Sequence, residues 1–154
     1  MEEKFIVIKD TKGFTLIEVI LVVSILSILF TIPVLNTNYL LKFVERKEIN
    51  ELKEDIYYAR NRAIVESKIY SVDILVDKNS YAIYTYDTYR KLIKSKKLKG
   101  NLKIKYTTIK NDELMFGYLG IPIETGTIVL INNRGEEIKI AVTPVTAKIN
   151  VYIE

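Results

Sequence analysis

Glu18 is the single charged residue between Phe14 and Leu35, a run of 22 residues that otherwise carries nothing more polar than Ser and Thr. An ionised carboxylate inside an apolar helix costs on the order of 2.5–3.5 kcal/mol by insertion scales, so this group needs a partner. A second concentration of charge lies downstream. Arg90, Lys91, Lys94, Lys96, Lys97, Lys99, Lys103 and Lys105 place eight cations in 16 residues, with no acid among them. Such a run suits a solvated loop and edge strand, where lysines discourage edge-to-edge pairing and contribute little to folding. It equally suits capture of a polyanion such as DNA through phosphate contacts, with Tyr86, Tyr89 and Tyr106 available for stacking. Acidic partner subunits and anionic cell-wall polymers fit the same charge.

Other chemistry is poorly served. The chain has no His and no Cys. Nucleophile–His catalysis, His-ligated zinc and a disulfide framework are therefore excluded, and no Gly-rich phosphate loop is present. Carboxylates are plentiful, but nothing in the sequence pairs two of them as acid and base. We expect no enzyme, no catalytic residue, no metal and no cofactor.

At about 1.5 Å of rise per residue, residues 14–35 form a helix of roughly 33 Å, enough for a hydrocarbon core of about 30 Å. A cleaved secretory signal has a shorter apolar core, followed by a small-residue cleavage site that is missing here. A plain single-pass anchor would explain the length but not a Glu directly after Gly-Phe-Thr-Leu-Ile. Basic residues flank the run on both sides, with Lys4, Lys9 and Lys12 before it and Lys42, Arg46 and Lys47 after it, so charge alone leaves the orientation ambiguous. Pro33, near the end of the run, should kink or loosen the helix, since it removes a donor and clashes one turn back.

Gly13, Phe14, Thr15, Leu16, Ile17 and Glu18 resemble, without departure, the N-terminal signature of type IV pilins and pseudopilins. The resemblance implies a leader, residues 1–13, removed by a prepilin peptidase that cuts Gly13–Phe14 and N-methylates Phe14. It implies that Glu18 pairs with the cationic N-terminus of a neighbouring subunit in a filament. It also decides the topology: a single-pass protein of the cytoplasmic membrane, N-terminus cytoplasmic, C-terminal domain extracytoplasmic, and part of a cell-surface filament once assembled. The implied partners are the prepilin peptidase/methyltransferase, other pilins or pseudopilins, an inner-membrane assembly platform and membrane lipid. In this family Pro33 would mark a helix break.

The 119 residues from Asn36 onward suffice for one modest domain. Ile49, Leu52, Ile56, Ala59 and Ala63 step by 3, 4, 3 and 4, which draws one apolar stripe along a helix. Upstream the stripe falls on Glu45 and Lys42, so we expect an exposed helical stalk over 36–48 and a packed domain over 49–154. After Ser67 the period changes to 2. Strands are expected at Ile69–Val76, Tyr81–Tyr86, Leu102–Thr108, Thr127–Ile131, Glu137–Val142 and Lys148–Ile153, with turns at Asp77–Ser80 and Asn132–Glu136. The fold class is α+β: a long N-terminal helix whose second half packs against an antiparallel sheet.

The order of Leu114-Met115-Phe116 with Gly117 and Gly120, then Gly126–Leu130, then a Gly-containing turn and Thr143-Pro144, is similar to minor pseudopilins. It resembles both the H-type subunit of type II secretion, with its FimT-like relatives, and the D-type pseudopilin of Gram-positive competence systems. The implied function is that of a structural subunit in a pilus-like filament serving DNA uptake or type II secretion. A major pilin and a membrane-tethered DNA-binding module are the alternatives. Without residues 1–13 the chain carries 20 basic and 16 acidic side chains, so Arg90–Lys105 holds the entire positive excess.

Overall fold

A computed structural model describes residues 13–34 and 37–153, with side chains described at all of these except 31–39. The expected leader lies almost wholly outside the described residues. The chain forms two compact units, residues 1–38 and 39–154.

The first unit contains α1, Leu16–Val34. Up to Leu29 its Leu, Ile and Val side chains are exposed on every face, and Ser24 and Ser27 donate their hydroxyls to the carbonyls of Ile20 and Val23, both at 2.7 Å. Pro33 is the penultimate residue of α1, and Leu35 and Asn36 lie outside the described residues. Among the described residues no helix is long and apolar enough to cross a membrane.

The second unit begins with the main part of α2, Thr37–Glu66. Eight strands follow: β1 Ile69–Leu75, β2 Ser80–Tyr86, β3 Arg90–Lys97, β4 Lys103–Thr107, β5 Glu113–Phe116, β6 Gly126–Ile131, β7 Glu137–Val142 and β8 Ile149–Ile153. They form two antiparallel sheets, ordered β3-β2-β1-β5 and β4-β6-β7-β8. The α+β class is as expected. The single six-stranded sheet is not, because β3 and β5 are additional and the strands divide into two sheets. β5 is only four residues long, and β3 reads as loop because lysines occupy the positions where an apolar alternation would show.

The stripe on α2 is buried as its spacing predicts, with Ala59 and Ala63 fully enclosed. Tyr70, Val72, Tyr81, Ile83, Leu114 and Phe116 of the first sheet join the core with Ile104, Ile128, Leu130, Ile138, Ile140 and Ile149 of the second. Asn79 ties the sheets together. It sits at φ 49°, where Asn is better tolerated than most residues, accepts from the Ile104 N–H at 2.8 Å and donates to the Leu102 carbonyl at 2.9 Å.

Packing on α2 starts earlier than the stripe suggests. Glu45 and Glu48, within the expected exposed stalk, are only 5% and 6% exposed. Both are buried as partners of basic residues, a pattern that hydrophobic periodicity does not register. Ile56→Ala should cost about 2–5 kcal/mol. Ala59→Leu should cost about 1–3 kcal/mol by overpacking, without removing a single contact atom. Urea unfolding of residues 39–154 measures both.

Candidate functional site

At the N-terminus, Gly13 and Phe14 are exposed, and a Cβ at Gly13 would meet nothing within 4 Å. The fold itself therefore places no demand for Gly at position 13. Thr15 caps α1. Its backbone N–H and its hydroxyl both donate to Glu18 Oε2 at 2.9 Å, while the Glu18 N–H donates back to Thr15 Oγ1 at 3.3 Å. This is a capping box, in which cap and third residue satisfy each other's orphan donors. The Thr-x-x-Glu spacing at residues 15–18 is the sequence signal of such a box.

The basic run resolves into two populations. Register places Lys96 beside Tyr81 and Lys94 beside Ile83, on the sheet face that packs against α2. There they meet Glu48, Glu51 and Asp55, spaced three and four apart on the helix. Lys94 Nζ lies 2.7 Å from Asp55 and 3.3 Å from Glu51, and Lys96 Nζ lies 3.1 Å from Glu48 and bonds Glu51 closely. Tyr81 donates its hydroxyl to Asp55 at 2.5 Å; burial first, and then this carboxylate, push the phenol pKa up. Burial alone would lower the Lys94 pKa, but Asp55 and Glu51 outweigh it and raise the value. The Lys96 ammonium, acting mainly through its hydrogen bond, holds Glu51 below the ordinary carboxylate range.

On the opposite sheet face Arg90 pairs with Asp73 and lies 3.6 Å from Glu113, with its guanidinium 3.9 Å from the Tyr84 ring. Lys105 pairs with Glu137. Four of the eight cations are thus neutralised within the fold, and Tyr86 is tied up too, donating to Glu113 at 2.6 Å. Lys91, Lys97, Lys99 and Lys103 are exposed and make no ion pair among the described residues. Tyr89 and Tyr106 remain exposed. The run is therefore not one free patch, and Lys94 and Lys96 do contribute to folding.

A third cluster escaped sequence reading. Arg134, in the turn between β6 and β7, forks onto Glu45 of α2 at 2.7 and 3.3 Å and onto Glu136 at 2.8 Å. Asn132 donates to Glu136 at 2.7 Å and accepts the N–H groups of Arg134 and Glu136. The Arg134 guanidinium and then Asn132 hold the Glu136 carboxyl down, to about 2. Only an i, i+2 Arg–Glu spacing hinted at this, and Glu45 lies 89 residues away in sequence.

Two outcomes follow. Lys96, 13% exposed at its side chain, faces a Glu48 side chain that is 7% exposed. Lys96→Gln should therefore destabilise the domain by about 3–5 kcal/mol, as expected when one member of a buried pair is removed. Lys97→Gln should stay within about 0.5 kcal/mol. Because the Glu136 pKa is depressed, its contribution is present above the ordinary carboxylate value of 4.5 and is lost as pH falls towards about 2. Arg134→Gln should be less stable at neutral pH and should flatten the stability–pH curve between those values. Denaturant titrations across pH measure this.

The model of the prokaryotic N-terminal methylation motif matches residues 8–32. No curated protein matches the chain. In fold it is similar to the minor pseudopilin EpsH from the type 2 secretion system of Vibrio cholerae, with a TM-score of 0.53 over 67% of this chain and 91% of that chain, at 13% identity. The chain thus carries a prokaryotic N-terminal methylation motif and has a fold similar to that of a minor pseudopilin.

Proposed function

We propose that the protein is a minor pseudopilin, a non-enzymatic subunit matured by cleavage of Gly13–Phe14 and methylation of the new Phe14 amine. Residues 14–35 hold it in the cytoplasmic membrane, from which it is drawn into a short filament of a type II secretion or DNA-uptake machine. The feature that carries this reading is Glu18, a lone carboxylate at the start of an apolar helix that overlaps the match to the prepilin methylation motif. Oε2 accepts from Thr15, and Glu18 is the one charged residue of an otherwise uncharged apolar helix. A neighbour's Phe14 ammonium is a cation of suitable size, and its pairing would favour register more than raw stability.

Gly13 is free of fold constraints, so Gly13→Val should leave the domain intact yet block removal of the leader, whose last residue must lie close in the peptidase. Mass spectrometry of membranes should find the native chain starting at methylated Phe14. A native chain starting at Met1, in cells with active prepilin peptidase, rejects the proposal. Glu18→Val should insert in the membrane and fail to enter filaments, as read by crosslinking.

Polyanion capture is the second reading, supported by exposed Lys97, Lys99 and Lys103 near the β3–β4 connection. Three phosphate contacts give a log–log salt slope of about −3, and all eight cations would give about −7. A duplex-binding titration of residues 39–154 separates the two, and absence of salt-dependent binding removes this reading.

A further inference from the structure

Two segments far apart in sequence bring cations to one end of the 39–154 unit. On α2, Arg46 and Lys47 are exposed and make no ion pair among the described residues. The β3–β4 connection lies against the same turns of the helix. There the Lys99 N–H donates to Glu48 Oε2 at 3.1 Å, and a Cβ at Gly100 would stand 3.2 Å from Val44 Cγ1. Leu98 is buried, while Lys97 and Lys99 on either side of it are exposed. The acids packed at this level are engaged: Glu48 by Lys96, and Glu45 and Glu136 by Arg134, with Lys42 adding a weaker attraction to Glu136. The β1–β2 turn, tied to Leu98 and Leu102 through Asn79, adds one exposed charge of each sign, Asp77 and Lys78. Glu54 lies seven residues beyond Lys47, about 10 Å along the helix axis. Positive charge is therefore in excess here.

The turn of α2 just before these cations is apolar and uncovered. Leu40 and Phe43 are 62% and 63% exposed, and Leu41 and Val44 are 38% exposed. Helical side chains lean back over the preceding turn, so Arg46 and Lys47 extend alongside this apolar surface with their charged ends in water. An apolar turn followed by cations from two segments matches the layering of a bilayer face, where acyl chains give way to phosphates.

We infer that this end of the domain docks on an anionic phospholipid surface. Leu40 and Phe43 enter the acyl boundary, and Arg46, Lys47, Lys97 and Lys99 contact headgroup phosphates. A nucleic acid would engage the cations and leave the apolar turn in water. A second copy would set cations against cations. Leu40 follows residue 35 by five residues, at most about 18 Å of chain. That nearness to a bilayer rests on the membrane reading of residues 14–35 proposed above, whereas headgroup recognition does not and is tested without that segment.

Residues 39–154 form a compact unit with its own core, so the test uses that segment. It should cosediment with phosphatidylglycerol vesicles, not with phosphatidylcholine vesicles, and added salt should release it. Lys97→Gln and Lys99→Gln should each weaken this binding about fivefold. Lys91→Gln makes the same charge change about 20 Å away along β3 and should leave binding unchanged. Phe43→Ser should weaken vesicle binding several-fold with the thermal melt unchanged, and should not alter any binding to duplex DNA. No binding to phosphatidylglycerol vesicles, equal binding to phosphatidylcholine, equal effects of Lys91→Gln and Lys99→Gln, or vesicle binding indifferent to Phe43→Ser would overturn the inference. Any of these, found alongside a native chain that starts at methylated Phe14, removes the docking and leaves the pseudopilin proposal standing.

Discussion

Everything in the 39–154 unit depends on one helix surface being covered. Ile49, Leu52, Ile56, Ala59 and Ala63 leave a narrow apolar stripe on a helix that is otherwise polar, and two separate sheets contribute side chains to the core around it. The small residues lie late in the stripe, where Ala59 and Ala63 let the sheets approach closely, and the larger ones fill the wider space nearer its start. The unit has no disulfide, so hydrophobic burial on this stripe supplies most of the cohesion.

Electrostatics refines that arrangement more than it drives it. The helix carries a line of acids, Glu48, Glu51 and Asp55, next to its apolar stripe, and β3 brings Lys94 and Lys96 onto them. Partly buried pairs of this kind contribute less to net stability than their geometry suggests, since desolvation offsets the attraction. Their value lies in register. A one-residue slip of β3 would turn both lysines away from the acids they now meet. The Glu45–Arg134–Glu136 cluster does the same for the β6–β7 turn, fixing where it meets the helix.

The N-terminal segment follows a different logic. α1 has no preferred face, so nothing within its own unit selects a rotation about its axis; its one charged group is the exception. Thr15 and Glu18 together build the helix start, which places the carboxylate one turn from the Phe14 backbone.

Some of this was legible before any coordinates. Local sequence sufficed for the prepilin motif, the α2 stripe, the two hairpin turns and the α+β class, because each depends on residue type and short-range spacing. The partners of the charged residues were decided only by the tertiary structure. Arg90–Lys105 reads as one continuous field of positive charge, yet pairing with acids up to 48 residues away leaves only part of it free. Glu45 and Glu48 read as solvent-exposed, yet long-range partners bury them. Division into two sheets was likewise invisible, since it depends on which strand edges meet across long connections, and hydrophobic periodicity reports only which way a side chain faces.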